Sequence, residues 1–276
     1  MKDNVGIILI IAIIIIIIVT KGSIFKHNGL HPLVTENTSS SGENIYSSGS
    51  NYDQAPLDYK DRVWISSISD RETFDERVYI DTNLDTNEIV NITGWKLRST
   101  VTGNEFVIGG AAIIPHVGVR DQTPIIISRG ARIIISDYTS PINTSFRLNK
   151  CTGFFSEGRN FEPALHNKCP AIIDDTTSNV PNLTDECLDY IDTLPRCEVP
   201  KERDFWETLG ASCKNYLLRN VNYESCVTAH KNDSDFFETE WRIYPAQPKI
   251  LWRDRHEKIQ LIDRYGRVVD TVEYNQ

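Results

Sequence analysis

The chain has 276 residues, is 40% hydrophobic and 24% charged, and carries a net charge of −9 with a pI near 5.2. That length allows one or two modest domains plus tails. An acidic chain is a poor counter-ion for phosphate, so nonspecific nucleic-acid binding is disfavoured unless one face is locally basic.

Residues 5–19, Val5-Gly-Ile-Ile-Leu through Ile18-Val19, are uninterruptedly apolar, with Lys2 before and Lys21 after. A bilayer span needs about 20 apolar residues, and Lys21 can snorkel so that residues 22–25 extend the helix. No small-residue cleavage site follows, which favours an uncleaved membrane anchor over residues 1–26 rather than a removed signal peptide. Residues 27–58 are rich in Ser, Asn, Gly and Thr (Ser39-Ser-Ser-Gly42, Ser47-Ser-Gly-Ser-Asn51). They cannot bury enough apolar surface to offset ordering entropy, and read as a flexible stalk with a reach of roughly 30 Å.

From Asp61 the pattern is that of strands. Val63, Ile65 and Ile68 open it. Val78 and Ile80 alternate with Tyr79 and Asp81, the cluster from Asn83 to Asn87 is turn chemistry, and Val90, Ile92, Trp95 and Leu97 predict a second strand ending on a buried indole. Gly94 lets that strand bend or another backbone approach. Thr102-Gly-Asn104 predicts a hairpin turn. Phe106 to Ile114 is an apolar run broken at Gly109-Gly110, and Ile125 to Ile135 reads as two strands joined at Arg129-Gly130.

These pieces resemble the lamin-tail-like domain. The resemblance rests on Asn91-Ile-Thr-Gly-Trp-Lys-Leu97, on Phe106-Val-Ile-Gly-Gly-Ala-Ala-Ile-Ile-Pro115, and on Ile259-Gln-Leu-Ile-Asp-Arg-Tyr-Gly-Arg-Val-Val-Asp270 as a closing hairpin. It implies an all-β, immunoglobulin-like β-sandwich built from residues 59–150 and 248–276, with Gly94 and Trp95 in its core. Lys249 to Trp252 would form one of its later strands. A role in DNA contact, known for some members, would fall on the basic residues of the closing strands: Lys249, Arg253, Arg255, Lys258, Arg264 and Arg267. Asp254, Glu257 and Asp263 intersperse them, as on a mixed-charge solvated face.

Residues 151–247 depart from that pattern. Cys151, Cys169, Cys187, Cys197, Cys213 and Cys226, the whole cysteine complement, lie here. They are even in number and lack C-x-x-C spacing, so they read as three disulfides in an oxidising compartment rather than a zinc site. The bulk of the chain is therefore expected outside the cytoplasm. Thr184-Asp-Glu caps a helix carrying Leu188, Ile191 and Leu194, which Pro195 ends. Phe205, Trp206, Leu209, Cys213, Tyr216 and Leu217 predict a second helix; Tyr223, Cys226 and Val227 predict a third. Such a unit is too small to hold a core without staples. Cys151 and Cys169, flanking an aromatic loop, are plausible partners; an antiparallel hairpin of the first two helices would bring Cys187 level with Cys213.

Chemistry-bearing constellations are sparse. Asp81-Thr-Asn-Leu-Asp-Thr-Asn87 opens like a calcium loop, but Thr86 and Ile92 occupy the places of the obligatory Gly and Glu, so a plain turn is expected. His230, Asp233 and Asp235 could supply a metal, although no second His stands within ligand spacing. Asn37, Asn91, Asn143, Asn182 and Asn232 begin sequons that read as chance matches. No motif for a nucleophile elbow, zincin or P-loop occurs, and no cofactor is implied. Phe154-Phe155, Phe161, Phe205-Trp206 and Phe236-Phe237 are expected to form the core of the cysteine-rich segment or, alternatively, an exposed binding patch. The expected function is a non-enzymatic, membrane-anchored extracytoplasmic binding or structural protein with a surface polymer or protein as ligand. A surface nucleic-acid-binding module and a metal-dependent hydrolase around His230 are the alternatives.

Overall fold

The computed structural model describes residues 58–69, 76–172, 174, 183–200, 208–246, 252–253 and 255–274. The apolar N-terminal run and the stalk lie outside the described residues. Among the described residues no helix is long and apolar enough to cross a membrane.

The described residues form the strands β1 Val63–Ser69, β2 Arg77–Thr82, β3 Val90–Asn91, β4 Lys96–Ser99, β5 Glu105–Val107, β6 Ile126–Ile127, β7 Arg132–Ser136, β8 Phe146–Asn149, β9 Phe237–Ile243, β10 Glu257–Ile262 and β11 Val268–Tyr274. One sheet has the order β1-β2-β7-β9-β8, a second β11-β10-β4-β5, and β3 with β6 forms a short third. All the pairings are antiparallel except β7 with β9. The two larger sheets share one core. Val63, Val78, Ile80, Ile133, Ile135 and Trp241 come from the first, Leu97, Phe106, Ile259, Leu261 and Val269 from the second. Burying that much aliphatic and aromatic surface is the main favourable term for this half of the chain.

Trp95 sits in that core at 1% exposure, with the Tyr59 ring 5.4 Å away. The expected single strand from Val90 to Leu97 is split in two. Gly94 adopts φ +86°, which an L side chain resists, and turns the chain so that β3 pairs with β6 while β4 enters the four-stranded sheet. The Gly94 N–H reaches Ile108 O at 2.8 Å, and the Ile108 N–H reaches Trp95 O at 2.8 Å, so both peptides at the break are satisfied. Likewise Ile125 to Ile135 yields two strands that do not pair with each other, because Gly130 at φ +71° sends them to different sheets.

The closing hairpin lies directly beside the Trp95 segment: Leu261 pairs with Leu97 and Gln260 with Arg98. Asp263 makes its turn, accepting hydrogen bonds from the Tyr265 and Arg267 backbones and from the Arg267 guanidinium. Asp270 on β11 accepts the Ile65 N–H of β1 at 2.7 Å, closing one margin between the two sheets. Residues 249–251 of the expected strand before this hairpin lie outside the described residues; Trp252 is buried but belongs to no strand.

A second core gathers the cysteine-bearing segment around Phe146 and Leu148 of β8. The described residues here hold three helices: α1 Asp185–Thr193, capped by the Thr184 side chain; α2 Ala211–Asn220; and α3 Tyr223–His230, capped by Asn222. Of the predicted apolar stripe, Cys213, Tyr216 and Leu217 lie in α2, whose N-cap is Gly210, and Leu209 precedes it; residues 201–207 lie outside the described residues. Phe154, Phe155, Phe161 and Phe236 are buried in this second core, and Phe237 packs against it. β9 falls inside the 151–247 range yet belongs to the five-stranded sheet.

All six cysteines are bonded, as Cys151–Cys226, Cys169–Cys197 and Cys187–Cys213. The expected Cys187–Cys213 pair does form and joins α1 to α2, each cysteine standing in the first turn of its helix. The expected Cys151–Cys169 pair does not form. Cys169 lies close enough for its sulfur to contact Cys151 O at 3.8 Å, but its backbone N–H is turned to Cys197 Sγ at 3.0 Å. Cys151, at the head of the 3-10 turn Thr152–Ser156, faces α3 instead, where Phe155 packs on Tyr223 at 4.2 Å.

Candidate functional site

Two clefts stand out. The first, of about 410 Å³, is lined by charged side chains, including Lys150, Arg196, His230, Asp233, Asp235 and Glu238. The end of β8 supplies Lys150, the C-terminus of α3 supplies His230, and the turn after it supplies both aspartates. The Lys150 ammonium lies 3.0 Å from Asp233 and 2.6 Å from Asp235, and His230 Nδ1 lies 2.9 Å from Asp233 Oδ2. Hydrogen bonds from His230 and then Lys150 hold the Asp233 carboxyl below the usual carboxylate range. Lys150 does the same for Asp235, and the bond to Asp235 raises Lys150 itself. At its rim His166 Nδ1 meets Glu238 Oε2 at 3.0 Å.

The structure therefore brings His230, Asp233 and Asp235 together, but around an ammonium group. A divalent cation would have to displace Lys150 from both carboxylates. Among the described residues no group of three or more His, Cys, Asp or Glu side chains could hold a metal ion. In the Asp81–Asn87 turn, Asp81 is taken by the Arg132 fork across the sheet at 2.8 and 3.3 Å.

The second cleft, of about 430 Å³, lies where β5, the Gly109-Gly110 crossing and the loop 139–145 meet Tyr244. Its wall is mixed: Gln122, Asn143 and Ser145 are polar, and Phe106, Val107 and Pro245 are apolar. Gly110 passes so close to the Gln122 carbonyl that a Cβ would stand 2.5 Å from it. Burial pushes the Tyr244 phenol up to about 12, so it is a neutral hydroxyl at physiological pH and no base. The arrangement offers hydrogen-bond donors and acceptors without an activated nucleophile.

The basic residues of the closing strands are partly consumed. Lys258 meets Glu273 at 3.5 Å, Arg267 meets Asp263 at 2.6 Å, and Arg264 donates to Asn91 O. Arg253 and Arg255 are exposed, and Lys249 lies outside the described residues. Sequence reasoning singled out His230, Asp233 and Asp235 but missed Lys150 and Arg196, which reach the same cleft from segments far earlier in the chain, and Glu238, which follows the aspartates closely on β9. Their only local signal was isolated charge beside buried strand or cystine positions. No family model, no curated protein and no solved structure matches this chain.

Proposed function

We propose that the chain is a non-enzymatic binding or structural protein, anchored in a membrane by residues 1–26 and carrying a lamin-tail-like, immunoglobulin-like β-sandwich outside the cytoplasm. The observation that carries this reading is the pairing of all six cysteines in three disulfides inside one buried cluster. Disulfides of this kind persist in oxidising compartments. Two sheets enclosing a common core around Trp95, with the terminal hairpin laid on the strand that follows it, support the sandwich. The engagement of Asp233 and Asp235 by Lys150 speaks for a structural use of the most reactive-looking cluster.

Expression of the full chain with a C-terminal tag tests the reading. In intact cells the tag is expected to be open to a membrane-impermeant label, and deletion of residues 1–26 is expected to release the protein from the membrane fraction. A shielded tag, or a native protein whose cysteines all titrate as free thiols, would overturn it.

A further inference from the structure

We propose that Arg147, on the edge strand β8, is the receptor of a binding site for an oxyanion, a carboxylate or sulfate group presented in the plane of its guanidinium. The side chain is held in place from several directions. Between Arg147 and Asn149 the β8–β9 register slips, so that Arg147 pairs with Trp241 while Asn149 pairs with Phe237. At this slip the Glu238 carbonyl accepts the Arg147 Nε–H at 2.7 Å. The guanidinium carbon lies 4.9 Å from the Phe237 ring centroid and 5.7 Å from that of Trp241.

Among the described residues the group has no counter-charge. Arg62, Arg77 and Arg242 each meet a carboxylate, from Glu88, Glu162 and Glu240. Arg147 is half-buried, yet among the described residues no acid pairs with it, and burial alone depresses its pKa. Both Nη groups reach solvent and make no hydrogen bond within the described residues. A partly desolvated cation without a partner is unfavourable, and an incoming anion offsets that cost. With ring contacts on its π surface and Nε already bonded, the open edge is the Nη pair. That fork matches the two oxygens of a carboxylate or of a sulfate, which an ammonium does not. The site depends only on this geometry and not on the compartment in which the protein resides.

The test is a titration of the isotope-labelled protein with sodium sulfate and with sodium acetate, against sodium chloride at matched ionic strength, following the backbone amides of residues 237–241 by NMR. Saturable shifts with sulfate or acetate are expected, and the anion that saturates first identifies the sulfate or carboxylate source. In R147K the binding is expected to weaken about tenfold or more, and in R147Q to vanish. Shifts that merely track chloride, or saturation that survives in R147Q, would overturn the proposal. Should either variant misfold, the wild-type titration decides by itself, because non-saturating shifts there are sufficient to reject the site.

Discussion

Replacing Cys151 and Cys226 together by alanine probes how the cysteine-bearing segment is stabilised. The bridge closes a separation of 75 residues, for which loop-closure entropy gives about 4.5 kcal/mol. Because Cys169–Cys197 and Cys187–Cys213 shorten the path between its ends, the contribution in their presence falls to about 4 kcal/mol. Each of the shorter bridges, with separations of 28 and 26 residues, gives about 3.5 kcal/mol alone. Urea unfolding followed by tryptophan fluorescence and by circular dichroism measures the loss, and the melting temperature should drop by about 10 °C. The slope of free energy against denaturant should also steepen, since the unfolded chain expands when the bridge is gone. A loss of no more than about 1 kcal/mol with an unchanged slope would refute the reasoning, because the bridge would then not be restricting the unfolded chain.

Asp270→Ala should cost about 1–3 kcal/mol by leaving the Ile65 N–H unpaired, and D270N less, as its amide oxygen still accepts; equal losses in thermal melts would remove Asp270 from the seam. Gly153→Ala puts a Cβ against Cys197 Sγ and 2.7 Å from the His166 carbonyl, so Cys169–Cys197 should fail to close and thiol titration should reveal a free pair. Asp233 and Asp235 have depressed pKa values, so the stability they give is present above the ordinary carboxylate value of about 4 and is lost as pH falls through their lower folded values. Lys150 is raised, so its share lasts until pH climbs through its folded value. Melting temperature should therefore decline on the acid side, and D233N/D235N should flatten that decline; an unaltered slope would show that the cluster is not linked to stability.

Local chemistry was legible in the sequence, and distant partnership was not. Period-two apolar residues marked β2 and the start of β1, the β-branched run Ile133 to Ile135 marked β7, and Thr184 and Pro195 bracket α1. Gly103, Gly130 and Gly266 sit at positive φ in turns that composition alone located. Pairing is another matter, because alternation says which face a residue takes and not which strand lies beside it. Hence the run from Ile125 to Ile135 read as two strands joined at Arg129-Gly130, with nothing to say that they enter different sheets. Cys151 and Cys169 looked like partners for the same reason: nearness along the chain ranked above a helix contributed 75 residues later. Arg147 carried no local signal at all, since a register slip with a strand about 90 residues away is what singles it out.

The placement of β9 between β7 and β8 fixes an order of events during synthesis. β8 leaves the ribosome long before β9, yet its ladder partner in the sheet is β9 alone. Until residues 237–243 emerge, β7 keeps a bare flank and β8 waits beside the sheet without joining it. The intervening cysteines have thus all been synthesised before the strand that completes the sheet emerges. Reductant present during translation should consequently leave its mark on strand assembly as well as on the helices that the cystines hold.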